Sequence, residues 1–386
     1  LLQGVNNPRG VKYESVTGAL ACLGLLAGGI WAGSAVRRFP LPGVIRSAGS
    51  VRLTPEQVFG LEMICFTVGI AHYLISCGFD LELLVQSLGA PRFATPWQVG
   101  RLGDWRTFQY HLTYFGQVVP TLTVVLAHQI GWQQGRSVVA VICTIIMLVF
   151  LSSSGSRLEV GSVLGAAIAT WLLLQPRITR RLAIGFTVTL VVVLAWMQLM
   201  LMIRNQGVTK LLAGADFRTD FAHLVVDDNF YRLTQLLDVM PEPNPHTYGG
   251  QIYYVMVRPI PRVFWPEKPV NSGFDFQEAI GMSSDWVGLS FTVAGEFYMD
   301  FGFPMVAIGG FCYGMFAAMW NRLLVEGRGP ARPLLYGLGL LAMFGGIRSE
   351  QVLMIKSFTV VAFLIIYKVF IHERSTSAAR PKPALA

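Results

Sequence analysis

The sequence predicts an all-α, polytopic integral membrane protein, and three observations carry that prediction. Hydrophobic residues make up 53% of the 386-residue chain, above the roughly 45–50% of an average globular protein. Charged residues make up only 13%, where about 25% is usual. The mean hydropathy is +0.52, and the apolar residues fall into segments of the length that spans a bilayer, about 20 residues. Folding this composition in water would leave large exposed apolar patches. The same figures exclude a disordered chain, a coiled coil, a collagen-like repeat and a disulfide scaffold.

Nine segments qualify, taken in chain order. Residues 17–36 and 57–79 come first, and the second carries Glu62, the one carboxylate well inside a span. A third runs over 110–130. The fourth and fifth, 137–153 and 158–175, are separated by a very short turn that holds Arg157. The sixth, 182–203, leads into the one long hydrophilic stretch, 204–290. The seventh, 291–320, is long because a half-polar lead-in, GEFYMDFGFP, precedes its apolar part. Shorter segments at 333–347 and 356–371 complete the set. The expected organisation is six amino-terminal spans in 1–203, a large loop 204–290, three spans in 291–371 and a polar tail 372–386. The chain opens on Leu1, with no basic region and cleavage site ahead of the first span. One further helix before it would bring the total to ten.

Lys and Arg accumulate in cytoplasmic connections. The connections 37–56, 131–136, 176–181, 321–332 and 372–386 carry fourteen of them, and the alternate set 1–16, 80–109, 154–157 and 348–356 carries eight. The first set is therefore expected inside, which places 204–290 outside. That segment holds seven basic and ten acidic residues. A stretch of this length folds into a cap or lines a site, so the working face is expected to be extracytoplasmic.

The net charge of +8 does not point to nucleic acid, because the basic residues sit in short bursts between apolar segments without a basic and aromatic stretch. The cysteines (Cys22, Cys65, Cys77, Cys143 and Cys312) show no C-x-x-C or Cys/His spacing. Neither a zinc site nor a disulfide framework is expected.

The most informative stretch is RPIPRVFWPEKP, Arg258 to Pro269. Four prolines stiffen it, so Arg258, Arg262 and Lys268 are expected to project from a rigid loop, with Lys268 as a point charge at its rim. Pre-set cations engage an anion at less entropic cost, and the Arg fork matches phosphate oxygens. The alternative is an interfacial loop with Trp265 in the aromatic belt. In GEFYMDFGFP, Glu296 and Asp300 are four residues apart and share a helix face. A partly desolvated carboxylate there would serve as a base; the alternative is a solvated helix start.

Arg157 in SSSGSRLEV and Arg348 in GGIRSEQ sit among small residues at outer boundaries, where exposed backbone N–H groups and an arginine form an anion cradle. Arg204, opening the long segment, joins them more weakly, and helix-end snorkelling is the alternative for each. Glu62 marks an internal path or partner, or reaches the cytoplasmic interface. His72 and His128 read as packing residues, His223 and His246 as possible loop imidazoles. The Asp227-Asp228 pair lacks a third ligand at a telling spacing, so a loop helix with an acidic face is expected.

Arg258-Pro-Ile-Pro-Arg262 followed by Trp265-Pro266-x-Lys268-Pro269 resembles the outer-loop motif of the oligosaccharide repeat unit polymerases, the Wzy-like O-antigen polymerases. Gly295-Glu296-x-Tyr298-x-x-Phe301-Gly302 and Gly155-Ser156-Arg157 are similar to that family's patterns, and Arg348-x-Glu350 to its terminal Arg-x-acid element. Arg348-Ser349-Glu350 departs from the family's Arg-Gly-Asp form. The resemblance covers roughly 150–357 and is specific chiefly in 258–302.

It implies a GT-C-like membrane glycosyltransferase in the bacterial inner membrane, acting on undecaprenyl-pyrophosphate-linked oligosaccharides to build O-antigen, capsule or exopolysaccharide. Arg258 and Arg262 would neutralise the departing pyrophosphate. Glu296, or else His246 or Glu350, would assist the attacking hydroxyl. Arg157, Arg204, Lys268, Arg348, Glu350, Tyr298 and His246 would bind pyrophosphate or sugar. No metal or cofactor is expected, since cationic side chains can do the metal's work. The expected partners are the lipid-linked substrate, membrane lipid, a chain-length regulator and a flippase. Two other classes compete: an O-antigen ligase, which would place a decisive His in the large loop, and a flippase or exporter. The exporter needs charge along a path through the bilayer, and the sequence shows almost none.

Overall fold

The structure, a computed structural model, describes residues 12–36, 39–91, 94–98, 109–177, 179–212, 228–269, 271–281, 289–326, 329 and 331–366. Every regular element among them is helical. The principal helices are α1 (Tyr13–Ser34), α2 (Pro55–Ser76), α3 (Val119–Ile130), α4 (Gly135–Ser153), α5 (Arg157–Leu174) and α6 (Arg180–Leu212). They continue with α7 (Asn229–Val239), α8 (Gly250–Val257), α9 (Thr292–Phe301), α10 (Phe303–Glu326), α11 (Arg332–Arg348) and α12 (Glu350–Ile366). Six of them, α1, α2, α4, α5, α6 over Arg180–Met200 and α10 over Phe303–Val325, are long and apolar enough to cross a membrane. The chain is an all-α, multi-pass membrane protein by this measure. Its α6 shows why: Val188, Val191, Val192 and Leu194 are exposed, a surface suited to lipid and not to water.

Three of the nine expected segments differ in detail. The third breaks at Gln117–Val118, leaving a short turn of helix before α3. Pro120 lies in the first turn of α3, where its missing N–H costs nothing; further in it would disrupt the helix. The seventh also divides. Gly302 adopts φ 68°, ψ −155°, which glycine alone takes readily, and separates α9 from α10. The last begins at Glu350, six residues before the expected start, so α11 and α12 meet at Ser349. Lys356, expected in a connection, lies well inside α12. Within the hydrophilic stretch α6 continues past a kink at Gly207 (φ 73°, ψ 164°) to Leu212, and α7 and α8 follow.

The chain divides into two compact units. The first comprises 1–41, 218–322 and 342–355. Its core joins Ala19, Cys22 and Leu26 of α1 with Leu233 and Leu236 of α7, Val293 and Phe297 of α9 and Val306 of α10. Here α1 and α10 touch backbone to backbone. A Cβ on Gly33 would fall 2.0 Å from the Phe311 carbonyl, one on Gly310 2.6 Å from that of Leu26, and one on Gly314 2.1 Å from that of Ile30. Lipid offers no hydrophobic drive for helix pairing, so close approach through small residues supplies it.

The second unit comprises 42–217, 323–341 and 356–386. Thr54 opens α2 with a capping box, accepting from Gln57 N while Gln57 accepts from Thr54 N. Leu122 and Leu126 of α3 and Met147 and Leu151 of α4 are fully buried. This unit corrects the expectation of almost no intramembrane charge: Glu62, Glu159 and Lys356 are all buried within helices. Lys356 Nζ donates to Gln117 Oε1 at 3.0 Å, and Gln117 Nε2 donates to Glu159 Oε1 at 3.0 Å. Ser154 Oγ and Tyr110 Oη also donate to Glu159, at 3.1 and 3.4 Å. Glu62 does not reach an interface; none of it is exposed. His72 packs edge-on against Tyr73 and Tyr110 as expected, whereas His128 is exposed.

Candidate functional site

The first unit gathers most of the expected site residues around α9. Buried Asp300 accepts from the backbone N–H groups of Gln251 at 2.9 Å and Ile252 at 3.1 Å, and from Thr247 Oγ1 at 2.5 Å. Those amides are the open donors of the first turn of α8, whose own N-cap residue, Gly249, has no side chain to offer. A carboxylate 49 residues away does the capping. At its other end α8 stops at Arg258, the first residue of the Pro-rich segment. Asp300 therefore fixes where that segment begins.

The segment is stiff, though only partly because of its prolines. Arg262 donates to the carbonyls of Pro266 at 3.2 Å and Pro269 at 2.6 Å. Lys268 donates to the carbonyls of Arg258 at 3.1 Å and Ile260 at 2.7 Å. Only 6% of Lys268 is exposed, so the expected rim cation is an internal clasp. Burial, and then the charges of Arg258 and Arg262, lower its pKa; the three cations stand close together. Arg258 is half-buried, donates to Tyr254 Oη at 2.5 Å and lies over that ring at 5.4 Å from its centre. Tyr254 thus leaves most of its guanidinium fork unspent.

Glu296, one turn before Asp300, also caps a helix. Its Oε1 accepts from Ser349 Oγ at 2.6 Å and its Oε2 from Glu350 N at 2.5 Å, at the start of α12. Ser290 Oγ donates to the Arg348 carbonyl at 3.2 Å, holding the same turn. The carboxyl is 8% exposed, and burial pushes its pKa up to about 7, against the pull of the Ser349 and Glu350 donors. Glu350 is raised to about 8 by burial and by the neighbouring Glu296 and Asp300 carboxylates. A base poised near neutrality is what proton abstraction needs, and a carboxylate keeps lone pairs after accepting two bonds.

No family model, curated protein or solved structure matches this chain.

The remaining expected residues fall into different places. Tyr298 is 5% exposed and donates to the Met240 carbonyl at 3.4 Å inside the core. His246 stands edge-on to Tyr298 at 5.3 Å with a buried Nδ1 that has no partner among the described residues. Its Nε2 would lie 3.3 Å from a Cβ on Gly302, a second reason for glycine there. Arg348 ends α11 next to Ser349. Arg157 and Arg204 belong to the second unit. Arg157 opens α5, where Ser156 caps the helix by accepting from Glu159 N at 3.4 Å. Arg204 lies in α6, and its side chain is outside the described residues, as are His223 and Asp227. Asp228 pairs with Arg232 at 2.7 Å before α7, in keeping with a loop helix. Glu159 and Lys356 were not among the expected residues. Glu159 lies near the start of the expected segment 158–175 and Lys356 at the end of the expected connection 348–356, positions where a charge does not by itself signal burial.

Proposed function

We propose that the protein is a membrane glycosyltransferase that polymerises lipid-pyrophosphate-linked oligosaccharide repeat units, as the resemblance of residues 258–302 to the repeat unit polymerases implies. The observation that carries this reading is the Arg258–Pro269 segment. Its backbone is clasped by Arg262 and Lys268 and positioned by Asp300, and α9, which supplies Asp300, also bears Glu296. A clamped cation cluster suits a pyrophosphate, and a carboxyl near neutrality suits a sugar hydroxyl.

In the reaction, the acceptor hydroxyl oxygen attacks the anomeric carbon of the donor chain from the face opposite the pyrophosphate. The bond from that carbon to the pyrophosphate oxygen breaks, the leaving group takes the electron pair, and configuration inverts. Glu296 receives the hydroxyl proton. Arg258 meets the charge that develops on the leaving oxygen, the electrostatic contribution that is commonly largest in such sites. The working face is extracytoplasmic and the membrane the bacterial inner membrane. Chain-length regulator and flippase partners follow from the same reading.

The test is polymer formation by purified protein in liposomes supplied with lipid-linked repeat units. A ladder of products that disappears in Arg258→Ala supports the reading; no new glycosidic bond under any donor overturns it. Export of a lipid-linked oligosaccharide is the second reading. It is favoured by Glu62 and Glu159, buried within the spanning helices α2 and α5, and by the Lys356–Gln117–Glu159 chain, since buried ionisable groups in membranes commonly mark a path. Translocation of a fluorescent lipid-linked sugar without bond formation would select it.

A further inference from the structure

We infer that the second unit holds a binding site for a small alkali cation of sodium size, built by Glu62 of α2, Thr123 and the Val119 carbonyl of α3, and Thr144 and the Ala140 carbonyl of α4. The site is independent of the glycosyltransferase reading.

Thr123 Oγ1 is the centre of the cluster. It is hydrogen-bonded to Glu62 Oε1, stands 2.6 Å from Thr144 Oγ1, 3.1 Å from the Val119 carbonyl and 3.4 Å from the Ala140 carbonyl. Glu62 Oε2 is buried without any partner among the described residues, and the residue is wholly shielded from solvent. A hydroxyl carries one proton and a carboxylate none. Beyond the helix N–H that each of the two carbonyls accepts, the cluster sets six oxygens, two from Glu62, two hydroxyls and two carbonyls, around the two hydroxyl protons. Such a concentration of lone pairs in a buried site is repulsive unless a positive species joins it.

The donor chemistry selects which species. All six atoms are hard oxygens, which favours alkali or alkaline-earth ions over transition metals. A single carboxylate balances one positive charge. Calcium and magnesium sites recruit more carboxylates or keep several waters. Backbone carbonyls near breaks in membrane helices are donors that transporters use for sodium, and Val119 follows directly on the break at Gln117–Val118. The ion would pin α2, α3 and α4 together at one point.

The experiment uses the full chain, purified and reconstituted, at constant pH and ionic strength. Radiolabelled sodium binding is measured by scintillation proximity, and melting is followed in sodium, potassium and choline chlorides. Saturable sodium binding near one ion per chain is expected, with a melting temperature several degrees higher in sodium than in choline. Glu62→Gln and Thr123→Val should abolish binding. Thr144→Val, at the half-buried side of the cluster, should weaken it at least tenfold should either of those variants fail to fold. Thr121→Val, on the same helix but outside the cluster, should leave binding unchanged. Absence of saturable sodium binding to the wild-type chain overturns the site and leaves a proton on Glu62. Binding that survives in both Glu62→Gln and Thr144→Val places the ion elsewhere and overturns it equally.

Discussion

Glu296 and Asp300 stand one turn apart on α9, and each closes the first turn of a different helix, Glu296 that of α12 and Asp300 that of α8. Two carboxylates on one short helix thus fix the starting points of two others. A charged acceptor at a helix start satisfies open amides and meets the positive end of the helix dipole, and here both acceptors come from some fifty residues away in sequence.

Asp300→Ala should detach the start of α8 and loosen the Arg258–Pro269 segment. The expected loss is about 1–3 kcal/mol of stability, the cost of unsatisfied buried donors. Limited proteolysis within 258–269 should accelerate, and Asp300→Asn, which keeps an acceptor, should lie between. Unchanged protection in Asp300→Ala would separate the segment from its cap.

Lys268→Arg should behave as a structural lesion. A guanidinium is larger and planar, and the buried Nζ position between two carbonyls fits a point donor. A stability loss of about 1–3 kcal/mol is expected, together with reduced turnover. A melting temperature equal to wild type would return Lys268 to the rim.

Arg258→Lys and Arg262→Lys should each lower turnover at least tenfold, roughly 1.4 kcal/mol of transition-state stabilisation. The two should differ in origin. Arg262 holds Pro266 and Pro269, so its replacement should also lower the melting temperature; Arg258→Lys should act mainly on turnover. Full polymerisation in both variants would reduce them to anchors.

Glu296→Gln should reduce turnover by about 10²–10⁴-fold, the usual scale of general-base catalysis, while sparing substrate binding. In the wild-type chain, activity should climb with pH through about 7 as Glu296 gives up its proton. Ser349 donates to the ionised carboxylate and so lowers its pKa. Ser349→Ala should therefore move the rising limb to higher pH, and an unshifted profile would detach the base from Glu296.

Stability should fall as pH rises from about 4.5 toward about 8. Glu296 and Glu350 have folded-state pKa values raised to about 7 and about 8 from the ordinary 4.5. In that window the folded chain binds more protons than the unfolded one, and the slope of stability with pH is negative. Glu350→Gln removes one of these groups and should flatten the dependence. A melting temperature that increases with pH over this range in wild type, and not in Glu350→Gln, would contradict the sign.

Much of the fold was legible because membrane helices must be both long and apolar. Six such helices lie where the hydropathy placed them. The break before Pro120 and the one at Gly302 were also in the residue types, but each lies inside an apolar run, where hydropathy carries no mark of an interruption. The site was legible in kind and not in use. Arg258 and Glu296 stood out by type, whereas the burial of Lys268 and the core contact of Tyr298 depend on segments brought together by folding. Lys356 was assigned to a connection because a charge near the start of an apolar run looks like its boundary. Only its bond to Gln117, 239 residues earlier, shows it inside.

The backbone contact between α1 and α10 has a consequence for how the chain is made. About 270 residues separate Gly33 from Phe303. At the usual rate of synthesis the ribosome takes roughly 15–55 s to traverse them. Throughout that interval α1 has already left the ribosome, with its glycine face shaped for a partner that does not yet exist. Helix α1 must wait in the bilayer, or against an insertion factor, without committing that glycine face to another surface. Substitutions at Gly33 or Gly314 should therefore show themselves first during biogenesis, as chains that insert and are degraded before they assemble.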